Sequence, residues 1–259
     1  MDPAIAEVVS HAFYEDKLAT HETRRATAGR PPPFTWSAPE LGSPVLVIDF
    51  GHVSRTGGRA SAEKDRPRWN NPGEVAAVMA FLKRVRATSM SGKRPTLAIL
   101  SPYKAQVEAL KAMMAEHRNG SLAHLEEFAP VRDESGFVGT VDSFQGSEAD
   151  LVIVSMVRNS PRAGARALGF LRDRRRMNVL LSRAKWQMVL VGSLDFLQAA
   201  VLGVAPDARD KGVAVNAQGH NLSFLMRMKS KIDALEGREG RGGQPAARKI
   251  APADLEAMP

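Results

Sequence analysis

The chain contains no cysteine among its 259 residues. That excludes disulfides and thiolate-ligated zinc. It has no run of about 18 apolar residues, so no membrane-spanning helix is expected. Its N-terminus lacks a basic stretch followed by an apolar core, so no secretory signal is expected and the cytoplasm is the default location. The phosphate-cradling loop G-x-x-x-x-G-K-[ST] is also missing. The Gly92-Lys93 pair is followed by Arg94, where that loop needs Ser or Thr. No apolar strand ends in an Asp-Glu pair suited to Mg²⁺, and Asp133-Glu134 sits in a polar stretch that reads as solvated. The six histidines show no metal-like grouping, and no metal site is expected. No nuclease-like constellation stands out either.

What is present is a chain able to build a core. Hydrophobic residues make up 44%, enough for one large α/β domain or two small ones. The formal net charge is +8 and the pI is near 10.0. This balance favours a polyanionic partner, nucleic acid first. A surplus of this size is weak support by itself.

In chain order, residues 3–18 read as an amphipathic helix with Pro3 in its first turn and Ile5, Val8, Val9, Ala12 and Phe13 on one stripe. Residues 20–44 are polar and Pro-rich and read as an extended connector. A strand is expected over 45–50. The stretch 54–68, rich in Arg, Lys and Gly, reads as an exposed, solvated insertion. Asn71-Pro72-Gly73-Glu74 is a helix start: Asn caps, Pro takes the first helical position, and Glu74 is placed to bond back to the cap. That helix is expected to run to about residue 86.

The next strand, 96–100, ends in Ser101-Pro102-Tyr103, which opens another helix. Ser101 could cap that helix or bond a phosphate at its free N–H groups. Residues 136–141 form the strand that enters the most informative stretch. Ser193 is placed to cap a helix reaching Leu202. Residues 222–235 allow one more helix, and 236–248 are Gly-, Arg- and Ala-rich and read as flexible.

The informative stretch is 139–158, G-T-V-D-S-F-Q-G-S-E-A-D-L-V-I-V-S-M-V-R. A small polar turn runs into a nearly continuous apolar strand, the pattern of a strand buried on both faces. A second stretch, R-R-R-M-N-V-L-L-S-R-A-K at 174–185, precedes the apolar run 188–191. Together they resemble motifs V and VI of superfamily-one helicases, in the branch of the nonsense-mediated-decay helicase. Ser101-Pro102-Tyr103 is similar to motif IV of that family. Residues 1–18 resemble the segment after the family's glutamine-tyrosine-arginine-methionine motif. The family's ATP-contacting tyrosine and arginine would lie before Met1, which places the start of the chain inside a longer family architecture.

The resemblance covers about residues 1–202 and implies the following roles. Arg183 is the arginine finger that stabilises charge at the γ-phosphate. A guanidinium suits this because it stays charged and forks two oxygens. Gly146 lets the backbone approach the γ-phosphate, Glu148 accepts from ribose hydroxyls, and Gln145 belongs to the same nucleotide-binding turn. Ser101, Pro102, Tyr103, Thr140, Asp142 and Ser143 contact or support a nucleic-acid strand through its backbone. Arg175, Arg176 and Asn178 organise the lobe interface.

Strands alternating with helices imply an α/β fold with a mostly parallel, doubly wound sheet. The resemblance makes it RecA-like, a P-loop NTPase lobe without the phosphate loop. The expected domains are a second RecA-like helicase lobe at 1–204, an extension with a helix at 205–235, and a flexible tail at 236–259. The expected function is the C-terminal motor lobe of an ATP-dependent DNA or RNA helicase. It would supply the arginine finger and part of the grip on single-stranded nucleic acid. ATP and Mg²⁺ would bind only with a first RecA-like lobe, in cis or in trans, and the chain alone would be inactive as an ATPase. The alternative is a non-catalytic nucleic-acid-binding or protein-interaction module derived from such a lobe.

Overall fold

The structure, a computed structural model, describes residues 1–22, 29–53, 69–88, 92–131, 136–160, 164–203 and 222–259. The basic stretch 54–68, Asp133-Glu134 and the expected domain boundary at 204/205 lie outside them.

A seven-stranded sheet forms the centre. Its strands are β2 (Val45–Asp49), β4 (Thr96–Ser101), β5 (Ala129–Pro130), β6 (Val138–Thr140), β7 (Ala149–Ser155), β8 (Ala184–Gly192) and β9 (Ala247–Ile250). The spatial order is β5-β4-β7-β8-β2-β9, and β6 shares the edge of β4 with β5. Every pairing in this sheet is parallel. The fold is therefore α/β with a parallel sheet, as the alternation of strands and helices implies, and is consistent with the RecA-like lobe that the family resemblance implies.

Strand periodicity explains why the central strands are apolar throughout. Side chains alternate between faces. Val152 and Val154 pack on one face with α1 (Pro3–Phe13), α5 (Arg174–Leu181), α6 (Leu194–Leu202) and α7 (Ser223–Glu236). Leu151 and Ile153 pack on the other with α2 (Pro72–Leu82) and α3 (Lys104–His117). Val45 and Val47 divide from Leu46 and Ile48 in the same way. A short α4 (Ala165–Leu168) completes the first face.

Several boundaries differ from the sequence expectation. Helix α1 stops at Phe13 because Glu15 and Asp16 adopt φ of 53° and 61°, a left-handed turn that ends a helix. Helix α2 stops at Leu82, and the chain turns into strand β3 (Val85–Ala87). β3 pairs antiparallel with β1 (Phe34–Trp36), inside the segment expected to be only a connector. Phe34 is fully buried there, and the Trp36 indole N–H donates to Gln187 Oε1 at 3.0 Å, joining this small sheet to β8. Burial of Phe34 outweighed the Pro-rich composition around it.

The tail expected to be flexible is instead ordered. β9 pairs with β2 from Val45↔Ala247 to Ile48↔Ile250 and covers what would otherwise be a bare edge. α8 (Pro252–Ala257) follows it. Composition pointed to flexibility, but Ala246, Ala247, Ile250 and Leu255 are buried. Lys249 pairs with Asp233 at 2.5 Å and Glu236 at 2.8 Å. Arg241 meets Asp2 at 3.0 Å with both side chains at most 5% exposed. Burial pushes the Asp2 carboxyl up and the Arg241 guanidinium down, each against their mutual attraction. The pair therefore fixes the two ends of the chain together more than it adds net stability.

Candidate functional site

β7 and β8 are neighbours, so the two informative stretches meet. Ala149 pairs with Ala184, and the Ala149 N–H donates to the Arg183 carbonyl at 3.0 Å. Arg183 and the 145–148 turn therefore sit side by side at the amino ends of these strands. The guanidinium is held in place: Nε donates to Val179 O at 2.8 Å, one Nη to Ser147 O at 3.3 Å, and the other to Ser182 Oγ at 2.8 Å. Among the described residues its hydrogen-bond partners are neutral oxygens, and it forms no salt bridge. Gln145, Gly146 and Glu148 are exposed around it. Gly146 has φ 80°, and a Cβ there would meet nothing within 4 Å. Its glycine is required by conformation and not by crowding.

Asp150, just beyond this turn, accepts from the Thr96 N–H at 2.8 Å and the Thr96 hydroxyl at 2.7 Å, tying β7 to β4. The acid at the end of F-Q-G-x-E-x-D is thus a brace between strands. Among the described residues no group of three or more His, Asp or Glu side chains could hold a metal.

The strand-binding candidates gather at the opposite ends of the strands. Ser101 and Thr140 are partners in the β4–β6 register. Ser101, however, is fully buried, and its Oγ accepts from the Tyr103 N–H at 3.4 Å. Helix α3 begins one residue later with Tyr103 as N-cap and no side-chain cap bond. The serine therefore braces the approach to the helix from the interior and makes no side-chain cap bond to it. Thr140 Oγ1 accepts from the Ser143 N–H at 3.4 Å, and the Ser143 hydroxyl donates to Thr140 O at 2.8 Å. Asp142 is exposed and lies 3.6 Å from the Arg176 guanidinium. Pro102 and Tyr103 are half-buried, and the Tyr103 hydroxyl accepts from the Phe170 N–H at 3.1 Å. In helix α5, Arg175 is exposed and Asn178 Nδ2 donates to Tyr14 Oη at 2.7 Å.

Beneath Tyr103 lies a polar cluster that sequence reasoning saw only in part. Asn71 Oδ1 does accept the Glu74 N–H, at 3.3 Å. Glu74 bonds back to the cap residue through the Asn71 side chain, whose Nδ2 donates to Glu74 Oε1 at 3.3 Å, while the Asn71 backbone N–H goes to Gln106 Oε1 at 2.8 Å. The other oxygen of the fully buried Glu74 carboxylate accepts from Ser155 Oγ at 2.6 Å and the Val157 N–H at 2.8 Å. Val157 has φ 71°, a strained conformation for a β-branched residue. It turns the chain so that the buried Arg158 lies against Trp69, with its Cζ 3.7 Å from the ring centroid. The signal available in the sequence was the Asn71-x-x-Glu74 spacing, which also suits an ordinary cap.

A family described as an AAA domain matches residues 1–195. The chain is 34% identical over 128 residues to the DNA polymerase alpha-associated DNA helicase A of Saccharomyces cerevisiae, covering 49% of this chain and 16% of that protein. It is 34% identical over 196 residues to a regulator of nonsense transcripts 1 homolog of Arabidopsis thaliana, covering 74% of this chain and 14% of that protein. The chain thus spans only about a sixth of the length of these relatives. A solved structure of the C-terminal domain of a possible DNA helicase from a Lactobacillus shares 18% identity and a TM-score of 0.35, over 73% of this chain and 84% of that one.

Proposed function

Because the chain belongs to the AAA domain family, within the superfamily-one helicase branch, we propose that residues 1–204 act as the second RecA-like lobe of an ATP-dependent helicase. The observation that carries this reading is the held guanidinium of Arg183. It sits against Ser147 O beside the exposed Gly146 and Glu148 at the amino ends of β7 and β8. An arginine fixed by neutral oxygens keeps its charge available to an arriving anion.

ATP, when bound, supplies the phosphoanhydride whose cleavage drives the motor. Arg183 would meet the charge that develops at the γ-phosphate, Gly146 would let the backbone come close, and Glu148 would accept from the ribose hydroxyls. Gln145 lies on the same wall. The opposite wall, with its phosphate loop and Mg²⁺ ligands, would come from a first RecA-like lobe. Thr140, Asp142, Ser143, Pro102 and Tyr103 would support a single strand of DNA or RNA, with Ser101 acting from behind through Tyr103.

The test is hydrolysis. The chain alone is expected to release phosphate at background rate, because positioning supplies most of the catalysis and half the site is absent. With its cognate first lobe, turnover should appear, and Arg183→Ala should lower it about a thousandfold or more. Near-normal turnover by that variant would reject the finger. Robust turnover by the chain alone, abolished by Arg183→Ala, would reject the need for a second lobe.

A further inference from the structure

Three aromatic rings far apart in sequence line up across the carboxyl ends of the strands. Trp69 and Tyr103 have ring centroids 6.5 Å apart, and Tyr103 and Phe170 are 6.3 Å apart. The rings are tilted by 51° and 59°, so they do not close over one another's faces. All three are half-buried. Cations flank the row. The buried Arg158 lies against Trp69, and Arg176 lies with its Cζ 5.0 Å from the Phe170 centroid. Trp69 and Tyr103 border an open cleft of about 280 Å³ that they share with Lys104, Ala105 and Glu108.

The row is also fixed. The Tyr103 hydroxyl is held by the Phe170 N–H at 3.1 Å. Gly169 has φ 54°, and a Cβ there would come within 2.5 Å of the Tyr103 hydroxyl oxygen. The turn before Phe170 therefore exists only because residue 169 is glycine. At the other end, the Glu74–Val157 bond sets the turn that carries Arg158 to Trp69. Rings held this way lose little freedom when a ligand arrives.

We propose that Trp69, Tyr103 and Phe170 form a base-stacking track for single-stranded nucleic acid, with Trp69 as its anchor. This rests on the nucleic-acid reading above and deepens it, because that reading gave its residues, Tyr103 among them, only a backbone role, and the track adds contact with the bases. Aromatic faces beside cations suit a strand that carries bases and phosphates together, and stacking accepts every base. Lys104, on the cleft with Glu108, and Arg176, within 3.7 Å of Asp142 and Asp173, are exposed cations placed for the phosphates. The track runs from Trp69 through Tyr103 and Phe170 to Arg176 and then Asp142, so it is continuous with the strand-binding candidates.

The experiment compares the whole chain on an oligothymidylate and on an abasic strand of equal length, by fluorescence anisotropy at low salt. Stacking predicts that the thymidylate binds roughly five- to a hundredfold tighter. Trp69→Ala should remove most of that preference while still binding the abasic strand, and Trp69→Phe should retain part of it. Equal affinity of the wild-type chain for both strands would overturn the track and leave the backbone grip standing. Binding of neither strand would overturn the nucleic-acid reading itself. Free dTMP competing at equal base concentration would make the cleft a mononucleotide pocket and overturn the track. If Trp69→Ala fails to fold, the comparison of the two strands on the wild-type chain still decides.

Discussion

The carboxylate of Glu74 holds the backbone N–H of Val157 at 2.8 Å, and together with the bond from Asn71 Nδ2 to Val157 O at 3.0 Å it joins the start of α2 to the strained turn after β7. Glu74 is fully buried and also takes the Ser155 hydroxyl. Glu74→Ala would leave both donors unpaired in the interior. The expected loss is about 3 kcal/mol or more, read from the urea midpoint at constant slope. Glu74→Gln keeps an oxygen for Ser155 and Val157 but turns an amide toward Asn71 Nδ2, so it should lose less. Equal losses for the two variants would show that charge, and not acceptor geometry, is what the site needs.

Asp49, at the end of β2, accepts from the Leu194 N–H at 3.0 Å, where α6 begins. Burial nevertheless pushes its carboxyl up from 3.8 to about 6. Between those values the folded chain holds more protons than the unfolded one, so stability falls as pH rises from about 4 to about 6. Asp49→Asn should remove this contribution. The variant should be more stable than wild type at pH 7 by up to about 3 kcal/mol, with the difference closing near pH 4. Urea unfolding of both proteins across this range checks it, and a constant gap would reject the assignment.

Binding to a single strand is expected to be weak and without sequence preference, because the backbone candidates read no base edges. Each phosphate neutralised should add about 0.7 to the slope of log affinity against log salt. Titrations at several salt concentrations measure it. No binding at low salt, or strong preference for one sequence, would refute the grip.

Much of this was legible in the residues alone. The apolar run of β7 showed a strand buried on both faces, because alternation across a sheet is a local property of the backbone. The caps were legible where they are local: Ser193 Oγ accepts from the Phe196 N–H at 3.1 Å, as its position before an apolar run implied. The sequence also determined the pair of motifs and their order. It could not show that Arg183 bonds Ser147 O, because strand adjacency is settled by packing the whole sheet. Glu74 looked like half of a capping box, and it does bond the cap residue Asn71, yet its further partners Ser155 and Val157 lie more than eighty residues away. The tail looked flexible because its composition is poor in large apolar groups, but the open edge of β2 supplied backbone partners that composition does not record. The tertiary structure alone decided the meeting of Trp69, Tyr103 and Phe170. Periodicity and capping act over a few residues, whereas this row depends on three loops brought together by strands that pair far apart in the chain.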